Sequence, residues 1–302
     1  MSDNKIHQYA YQAFGLNIHS EFEIPEMYPH SFSEADVLIQ FGEVPQHIDE
    51  PEKEGVRYQL SKKEFLLQVD GIASFHIIEG HTIVVEKSDK ATLQEARLFL
   101  LGPVFSGLLY LRNSVSLHGS ALKNKEGAFL ICGISGAGKS TLTREFITRG
   151  YQLLADDLSV LRIHDKKIIV QPSFPFIKLW KDSLEHLGIA ENKGIRLREK
   201  LEKYGFLLQK EYYPNALPIQ KVFILVSHNK PEFIVEKIKG IEKFNVLKNH
   251  TYRYQFILDN TRPIHFQYMN QLAVQAEVIR IRRPQAPINT TELLQHIEGL
   301  LE

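Results

Sequence analysis

Cysteine is nearly absent from the sequence, which has only Cys132 among its 302 residues. An internal disulfide is therefore excluded, and a reducing compartment is expected. Charge of one sign is not in excess either, since Lys plus Arg and Asp plus Glu both total 36. This balance gives no global field that would attract nucleic acid or an anionic membrane surface. We expect a partner that is small or local.

Long hydrophobic runs are also missing. No segment approaches the roughly 18 uninterrupted apolar residues that indicate a membrane span. The first residues, Met-Ser-Asp-Asn-Lys-Ile, are polar and do not form a signal peptide. We therefore expect a soluble cytoplasmic protein with neither a nucleic-acid nor a membrane partner.

The length predicts about two domains. Apolar and polar residues alternate through the first ninety positions, a pattern typical of antiparallel strands joined by tight turns. We predict a small antiparallel β-rich domain over residues 1–90, with peptide recognition as its candidate role. Its strands are predicted at 11–19, 35–41, 56–60, 65–69, 72–77 and 82–86, with turns at 61–64, 70–71 and 79–80.

A connecting helix is predicted next, over residues 91–112. Thr92 and Glu95 have the form of a capping box, and apolar residues follow at mostly helical spacing. The helix is apolar nearly all round, and Gly102-Pro103 should kink it. We expect it to lie between the two domains, and a membrane-associated helix is the competing interpretation.

The second half alternates β-rich and helical segments, which predicts an α/β (α+β) domain with a largely mixed sheet over residues 113–302. Strands are predicted at 115–117, 129–132, 152–154, 158–163, 168–170, 222–226 and 233–238. Helices are predicted around 140–149, 181–188, 195–204, 241–248, 265–276 and 290–301.

A phosphate-binding motif begins this domain. Residues Gly133–Ser140 read G-I-S-G-A-G-K-S, directly after the apolar run 128–132 and before a predicted helix. In such a loop, backbone N–H groups face phosphate oxygens, Lys139 reaches the β- and γ-phosphates, and the Ser140 hydroxyl can take Mg²⁺. The motif predicts binding of a nucleoside triphosphate, with ATP and Mg²⁺ as the expected ligands.

Two adjacent carboxylates, Asp156 and Asp157, follow the next predicted strand. Alone, such a pair would usually be a solvated turn. In a phosphate-loop protein, one acid usually serves Mg²⁺ and another can accept the proton of an attacking hydroxyl. His118 lies 21 positions before Lys139 in the sequence. A lone histidine is more often structural, whereas an acid pair behind a phosphate loop suits phosphoryl transfer.

The spacing of His118, the phosphate loop and Ala-Asp-Asp resembles the catalytic domain of HPr serine kinase/phosphorylases. The resemblance implies a phosphoenolpyruvate-carboxykinase-like fold, a general-base role for Asp156, a metal-ligand role for Asp157, and a place for His118 beside the γ-phosphate. It also implies that the ATP phosphates are held by Gly133, Ser135, Gly136, Ala137, Gly138, Lys139, Ser140 and Thr141.

The chain departs from that family at two places. Thr141 stands where HPr kinases have Glu, and the stretch 172–180 replaces their Glu-Arg-Gly signature, with Lys178 in place of a carboxylate. That stretch and residues 11–20 and 35–39 look more like the HPr-kinase-like proteins encoded with lasso-peptide biosynthesis. This second resemblance implies phosphorylation of a C-terminal serine on a precursor peptide.

Other residues and functions stay open at this point. Five cations are candidates to bind the γ-phosphate or an acceptor carboxylate, although a surface role is expected for each: Lys178, Arg196, Arg198, Arg253 and Arg262. Trp180 is expected to pack, and the basic run 280–283 to lie at an exposed strand edge. The alternatives are an HPr-type kinase, a small-molecule kinase or carboxykinase-like enzyme, and an ATP-sensing module. Association with a second copy of the chain is also left open.

Overall fold

The computed structural model describes residues 8–198, 201–285 and 290–302. The chain divides into two compact units. The first comprises residues up to 115 together with 253–264, and the second comprises residues 116–252 and 265–302. Residues 253–264 thus group with the first unit, although the sequence placed them in the second domain. The roles given to the predicted domains stay predictions.

Strands dominate the first unit. In the described residues they form one nine-stranded sheet in the order β3-β1-β2-β4-β9-β8-β7-β6-β5. The strands are β1 (Tyr9–Ala13), β2 (Leu16–Ser20), β3 (Tyr28–Pro29), β4 (Val37–Phe41), β5 (Lys53–Gly55), β6 (Tyr58–Leu60), β7 (Glu64–Val69), β8 (Ala73–Ile78) and β9 (Thr82–Lys87).

This sheet is mixed, so the prediction of a purely antiparallel domain is wrong. β4 runs parallel to both of its neighbours, β2 and β9. Residues 21–36 separate β2 from β4, which is long enough for the chain to return to the same end of the sheet before β4 begins. The predicted turns at 61–64, 70–71 and 79–80 are confirmed, because each joins an antiparallel pair.

Two of the predicted strands include a tight turn. Residues 11–19 contain a two-residue turn, in which Phe14 and Gly15 have φ of 58° and 70°. Both values suit a tight hairpin turn, but a buried Phe at such a φ is not a turn signal in sequence. The segment at 56–60 likewise contributes only β6, which pairs with β5.

The segment predicted to be the connecting helix is helical and groups with the first unit. It consists of α1 (Leu93–Phe99), a π-helical stretch (Leu100–Val104) and α2 (Phe105–Leu111). Thr92 and Glu95 form the capping box, and Pro103 lies inside the π-helical stretch. No helix in the described residues is long and apolar enough to span a membrane. The expected position of this segment between the domains stays a prediction.

The second unit is mixed α/β. Its strands are β10 (Val115–Lys123), β11 (Ala128–Gly133), β12 (Gln152–Ala155), β13 (Leu158–His164), β14 (Lys167–Gln171), β15 (Phe176–Trp180), β16 (Ile195–Arg198), β17 (Leu201–Leu207), β18 (Leu217–His228), β19 (Ile234–Lys237) and β20 (Glu277–Pro284). Its helices are α3 (Lys139–Thr148), α4 (Lys181–His186), α5 (Ile241–Asn249), α6 (Arg262–Gln275), whose first residues group with the first unit, and α7 (Thr290–Leu301).

The larger sheet of this unit places the phosphate loop. β18 runs parallel to β11 on one side and to β20 on the other. Phe129 on β11 packs edge-on against Phe146 of α3 and Phe223 of β18, with ring centroids 5.3 and 5.9 Å apart. These buried aromatic contacts fix α3 against the strand that leads into the loop.

Two sequence expectations fail in this unit. The predicted helix at 195–204 is instead part of β16 and β17 in a three-stranded sheet with β15, with residues 199 and 200 outside the described part. Alternation explains the strand, since Tyr204 and Phe206 are buried on one face while Lys203 lies on the other. The basic run 280–283 is not at an edge, because β20 lies between β18 and β19.

Candidate active site

The phosphate loop joins β11 to α3. Gly136 and Gly138 have φ of 81° and 91°, a region that side chains with a Cβ rarely adopt. A Cβ on Gly133 would lie 2.9 Å from the carbonyl oxygen of Leu225. Glycine is thus required here for close approach to β18 and for the turn into the helix.

Lys139 begins α3 and folds back onto the loop. Its Nζ donates to the carbonyl oxygens of Gly133 at 2.7 Å and Ile134 at 3.0 Å. Burial lowers the pKa of Lys139, although the charges of Asp157 and Asp156 act in the opposite direction. The ammonium group therefore lies within the electrostatic field of both acids.

The acid pair lies at the tight connection between β12 and β13. Asp157 has a φ of +70°, and the N–H of Leu158 donates to the Asp156 carbonyl oxygen at 2.8 Å. In a regular strand, adjacent side chains would point to opposite faces. The positive φ breaks that regularity, and the charge of each carboxylate acts on a common set of neighbours.

Asp156 is buried and hydrogen-bonded. The Ser120 hydroxyl donates to its Oδ1 at 2.7 Å, and the backbone N–H of Lys178 donates to its Oδ2 at 3.4 Å. Burial raises the pKa of Asp156, and the charge of Asp157 adds to this effect. A raised pKa makes a carboxylate a stronger proton acceptor.

Asp157 has the opposite character. Burial alone would raise its pKa, but a hydrogen bond from His118 and the charges of Lys178, His118 and Lys203 outweigh burial and lower the pKa. Nδ1 of His118 lies 3.1 Å from Oδ1 and 3.2 Å from the backbone oxygen of Asp157. Since both atoms are acceptors, Nδ1 carries the hydrogen.

β10 presents His118 and Ser120 to these two acids. The two residues are separated by one position and therefore face the same side of the strand. The N–H of His118 donates to the His250 carbonyl oxygen at 2.7 Å, which fixes the strand at that point. Sequence reasoning missed Ser120, because the strand was predicted only at 115–117 whereas β10 extends to Lys123.

The candidate cations separate into different places. The charge of Lys178 acts on both acids. Arg196 instead donates to the Leu201 carbonyl oxygen, and Arg198 is the partner of Leu201 in the pairing of β16 with β17. Arg253 and Arg262 group with the first unit, where Arg253 lies over Phe256 and Arg262 pairs with Asp259. Lys203 was missed, because its segment was predicted to be helical.

Arg283 supports the phosphate loop from β20. Its side chain is buried, and its Nε donates to the carbonyl oxygen of Ala137 at 3.1 Å. Its Nη1 donates to the Pro284 carbonyl oxygen at 2.8 Å. The buried Arg283 guanidinium thus holds Ala137 of the phosphate loop. The sequence could not predict this role, because Arg283 stands in a basic run that was expected to be exposed.

The remaining loop residues have distinct surroundings. Ser135 is exposed and Ser140 is half-buried. The N–H of Ala137 donates to the Ile134 carbonyl oxygen at 3.1 Å, which closes the loop. The Thr141 hydroxyl donates a hydrogen bond to the Ser183 hydroxyl at 2.8 Å, so this side chain links α3 to α4.

Magnesium is compatible with the donors present. Within the described ranges, no group of three or more His, Cys, Asp or Glu side chains could hold a metal ion by itself. Mg²⁺ bound with a nucleotide needs only one or two protein ligands, since phosphate oxygens and water complete its shell. The Ser140 hydroxyl and the Asp157 carboxylate, whose pKa is lowered, are oxygen donors of the required kind.

Comparisons with known proteins give a distant similarity. No protein-family model matches the chain, and no curated protein sequence matches it. A solved structure of the Hpr(Ser) kinase/phosphatase from Coxiella burnetii is similar at 16% sequence identity and a TM-score of 0.31. The similarity covers 62% of this chain and 93% of that chain. At this TM-score it assigns no function to the chain.

Proposed function

We propose that the protein is an ATP-dependent phosphotransferase that phosphorylates a serine hydroxyl. The observation that supports this most strongly is the opposite electrostatic character of the acid pair beside Lys139. Asp156 has a raised pKa and Asp157 a lowered one. Environments that push two carboxyl groups apart in pKa are typical of paired acid and base roles.

The proposed roles follow from those environments. Backbone N–H groups of the loop and the Lys139 ammonium bind the triphosphate, and a shift of Lys139 from the Gly133 and Ile134 carbonyl oxygens would free its donors. Asp157 and Ser140 would hold Mg²⁺. When bound, this ion neutralises charge on the phosphate oxygens.

Asp156 would act as the general base. It accepts the proton of the serine hydroxyl while Oγ forms its bond to the γ-phosphorus. The bond from that phosphorus to the bridging oxygen breaks, and ADP leaves with the electron pair. Ser120 holds the base in place, and His118 keeps Asp157 ionised and oriented.

The more specific proposal concerns the acceptor, which we infer to be the C-terminal serine of a precursor peptide of the lasso-peptide type. The replacement of the Glu-Arg-Gly signature by 172–180, with Lys178 next to Asp156, supports an acceptor other than folded HPr. A flexible peptide end can enter a pocket that a serine on a folded surface cannot reach.

Transfer of label from γ-³²P ATP to peptides ending in serine tests the proposal, with mass spectrometry to locate the phosphate. Asp156→Asn should lower the rate by about 10²-fold or more and leave ATP affinity within a few-fold, because the base acts on the acceptor. Asp157→Asn should raise the Mg²⁺ concentration required. Asp165→Asn, at an exposed turn, is the matched control.

Unchanged turnover in Asp156→Asn would contradict the general-base role. Efficient phosphorylation of an internal serine in folded HPr, without activity on peptide ends, would contradict the proposed acceptor. Binding of ATP with no transfer to any hydroxyl would contradict the proposed phosphotransferase activity.

A further inference from the structure

The small sheet of the second unit has one face that the proposed mechanism leaves unused. Lys178 pairs with Gly205 and Trp180 with Lys203 across β15 and β17. Directly paired residues of antiparallel strands point to the same side, and so do residues two apart in one strand. The two lysines and Trp180 therefore share a face. The opposite face packs in the core through Ile177, Leu179, Tyr204 and Phe206.

The two ammonium groups on this face form no direct ion pair in the described residues, although the charge of Asp157 acts on both. In the described part of the chain, no carboxylate lies at ion-pair distance from Lys178 or Lys203, and the Asp157 carboxylate is paired with His118. Burial and the charge of Lys178 disfavour the charged form of Lys203, whereas the charges of Asp157 and Asp156 favour it. Two like charges held in a half-buried place are stabilised when an anion binds between them.

Trp180 holds one of these cations. Nζ of Lys203 lies 5.0 Å from the centroid of the Trp180 ring, within cation–π distance. The tryptophan is 46% exposed, so part of its ring is open to solvent. Its ring limits the positions that the lysine can adopt and leaves an apolar surface beside the ammonium group.

The face lies beside the carboxylate that we propose as the base. The backbone N–H of Lys178 donates to Oδ2 of Asp156. The triphosphate has its own cation in Lys139, whose Nζ donates to the Gly133 carbonyl oxygen of the phosphate loop. A ligand oxyanion on the sheet face would therefore belong to the molecule that brings the hydroxyl to Asp156.

We propose that Lys178 and Lys203, with Trp180 beneath Lys203, form a binding site for an oxyanion that the acceptor carries next to its reactive hydroxyl. The site rests on the proposed function and defines the acceptor class as an anionic hydroxyl compound. One source of the oxyanion is a terminal carboxylate on the reacting serine, which is joined to Oγ through only Cβ and Cα. The other source is an acidic side chain on the preceding residue.

Peptide binding distinguishes these sources without depending on turnover. The probes are acetyl-Ala-Ala-Ser with a free carboxylate, the same peptide as the amide, and acetyl-Ala-Asp-Ser amide, each titrated by calorimetry in the presence of Mg²⁺ and AMP-PNP. The wild-type protein should bind one of the two anionic peptides about tenfold or more tighter than the neutral amide, the scale of a charge-assisted hydrogen bond.

Substitution should remove that preference. Lys203→Met and Lys178→Met should each weaken binding of the preferred anionic peptide by about tenfold and leave the neutral amide and AMP-PNP within a few-fold. Lys203→Arg should restore part of the preference, because it keeps the charge. Lys167→Met, at an exposed strand position of the same unit, is the control and should behave as wild type.

A preference for the free carboxylate supports the terminal source, and a preference for the Asp-Ser peptide supports the side-chain source. Equal binding of all three peptides by the wild type overturns the proposal. Loss of AMP-PNP affinity in the lysine variants, with the peptide preference intact, also overturns it and assigns the pair to the donor phosphates. If the lysine variants lose the preference for the anionic peptide but the wild type transfers no phosphate, the binding site is supported and the proposed kinase activity is contradicted.

Discussion

Gly138, the residue before helix α3, allows a direct test of how the phosphate loop is built. Its φ and ψ are 91° and 12°, and a Cβ built there would meet no heavy atom within 4 Å. Gly138→Ala therefore introduces backbone strain without a steric clash. A left-handed conformation costs an alanine about 1–2 kcal/mol, so the free energy of unfolding should fall by about that amount.

Gly299 provides the matched control for the same chemical change. It is exposed in α7, and a Cβ there would also meet no heavy atom within 4 Å. Its φ is not in the positive region, so Gly299→Ala should raise the free energy of unfolding by about 0.5–1 kcal/mol through better helix propensity. The two variants should thus differ by about 1.5–3 kcal/mol.

Urea unfolding and ATP titration together measure the effect. If the loop of Gly138→Ala relaxes to another conformation, the stability loss becomes smaller and ATP affinity falls, by roughly 5- to 30-fold for the same free energy. A Gly138→Ala protein that matches wild type in both measurements would refute the idea that the loop needs a left-handed residue at this position.

Three further predictions concern the same unit. Lys139→Ala should weaken ATP binding and lower transfer by about 10²-fold or more, measured by calorimetry and labelled ATP, and unchanged turnover would contradict the kinase proposal. Ser120→Ala removes a hydrogen bond that lowers the pKa of Asp156. Transfer needs the carboxylate, so the rise of rate with pH should move to higher pH. The pKa of Asp156 is higher in the folded than in the unfolded protein, so the free energy of unfolding falls as rising pH ionises this group. In Ser120→Ala the folded-state pKa is higher still, so this fall should continue to higher pH. Phe146→Ala, at a fully buried position, should lower the free energy of unfolding by about 3–5 kcal/mol in urea titrations.

Elements whose chemistry is contiguous in sequence were predicted well. The strand, loop and helix from 128 to 148 follow from an apolar run, glycines at the turn positions and a helical pattern. The capping box at Thr92 and the turns at 70–71 and 79–80 are equally local. Local hydrogen bonds and backbone preferences determine such features, so neighbouring residues carry enough information to predict them.

Other features depend on strand pairing between distant segments. The parallel placement of β4, the buried contact of Arg283 with Ala137, and the strand that contains Lys203 were all missed. Residues 195–204 contain good helix formers, but pairing with β15 and burial of alternate side chains outweigh helix propensity there.

The acid pair shows which properties of the site can be predicted from sequence and which depend on the tertiary structure. The sequence alone shows two adjacent carboxylates at the end of an apolar strand that follows the phosphate loop. That was enough to predict that both acids belong to the site. Only the tertiary structure decided their different chemistry, because β10 brings Ser120 to one carboxylate and His118 to the other. Burial and neighbouring charges set a pKa, and both depend on side chains that are far apart in sequence and close in space.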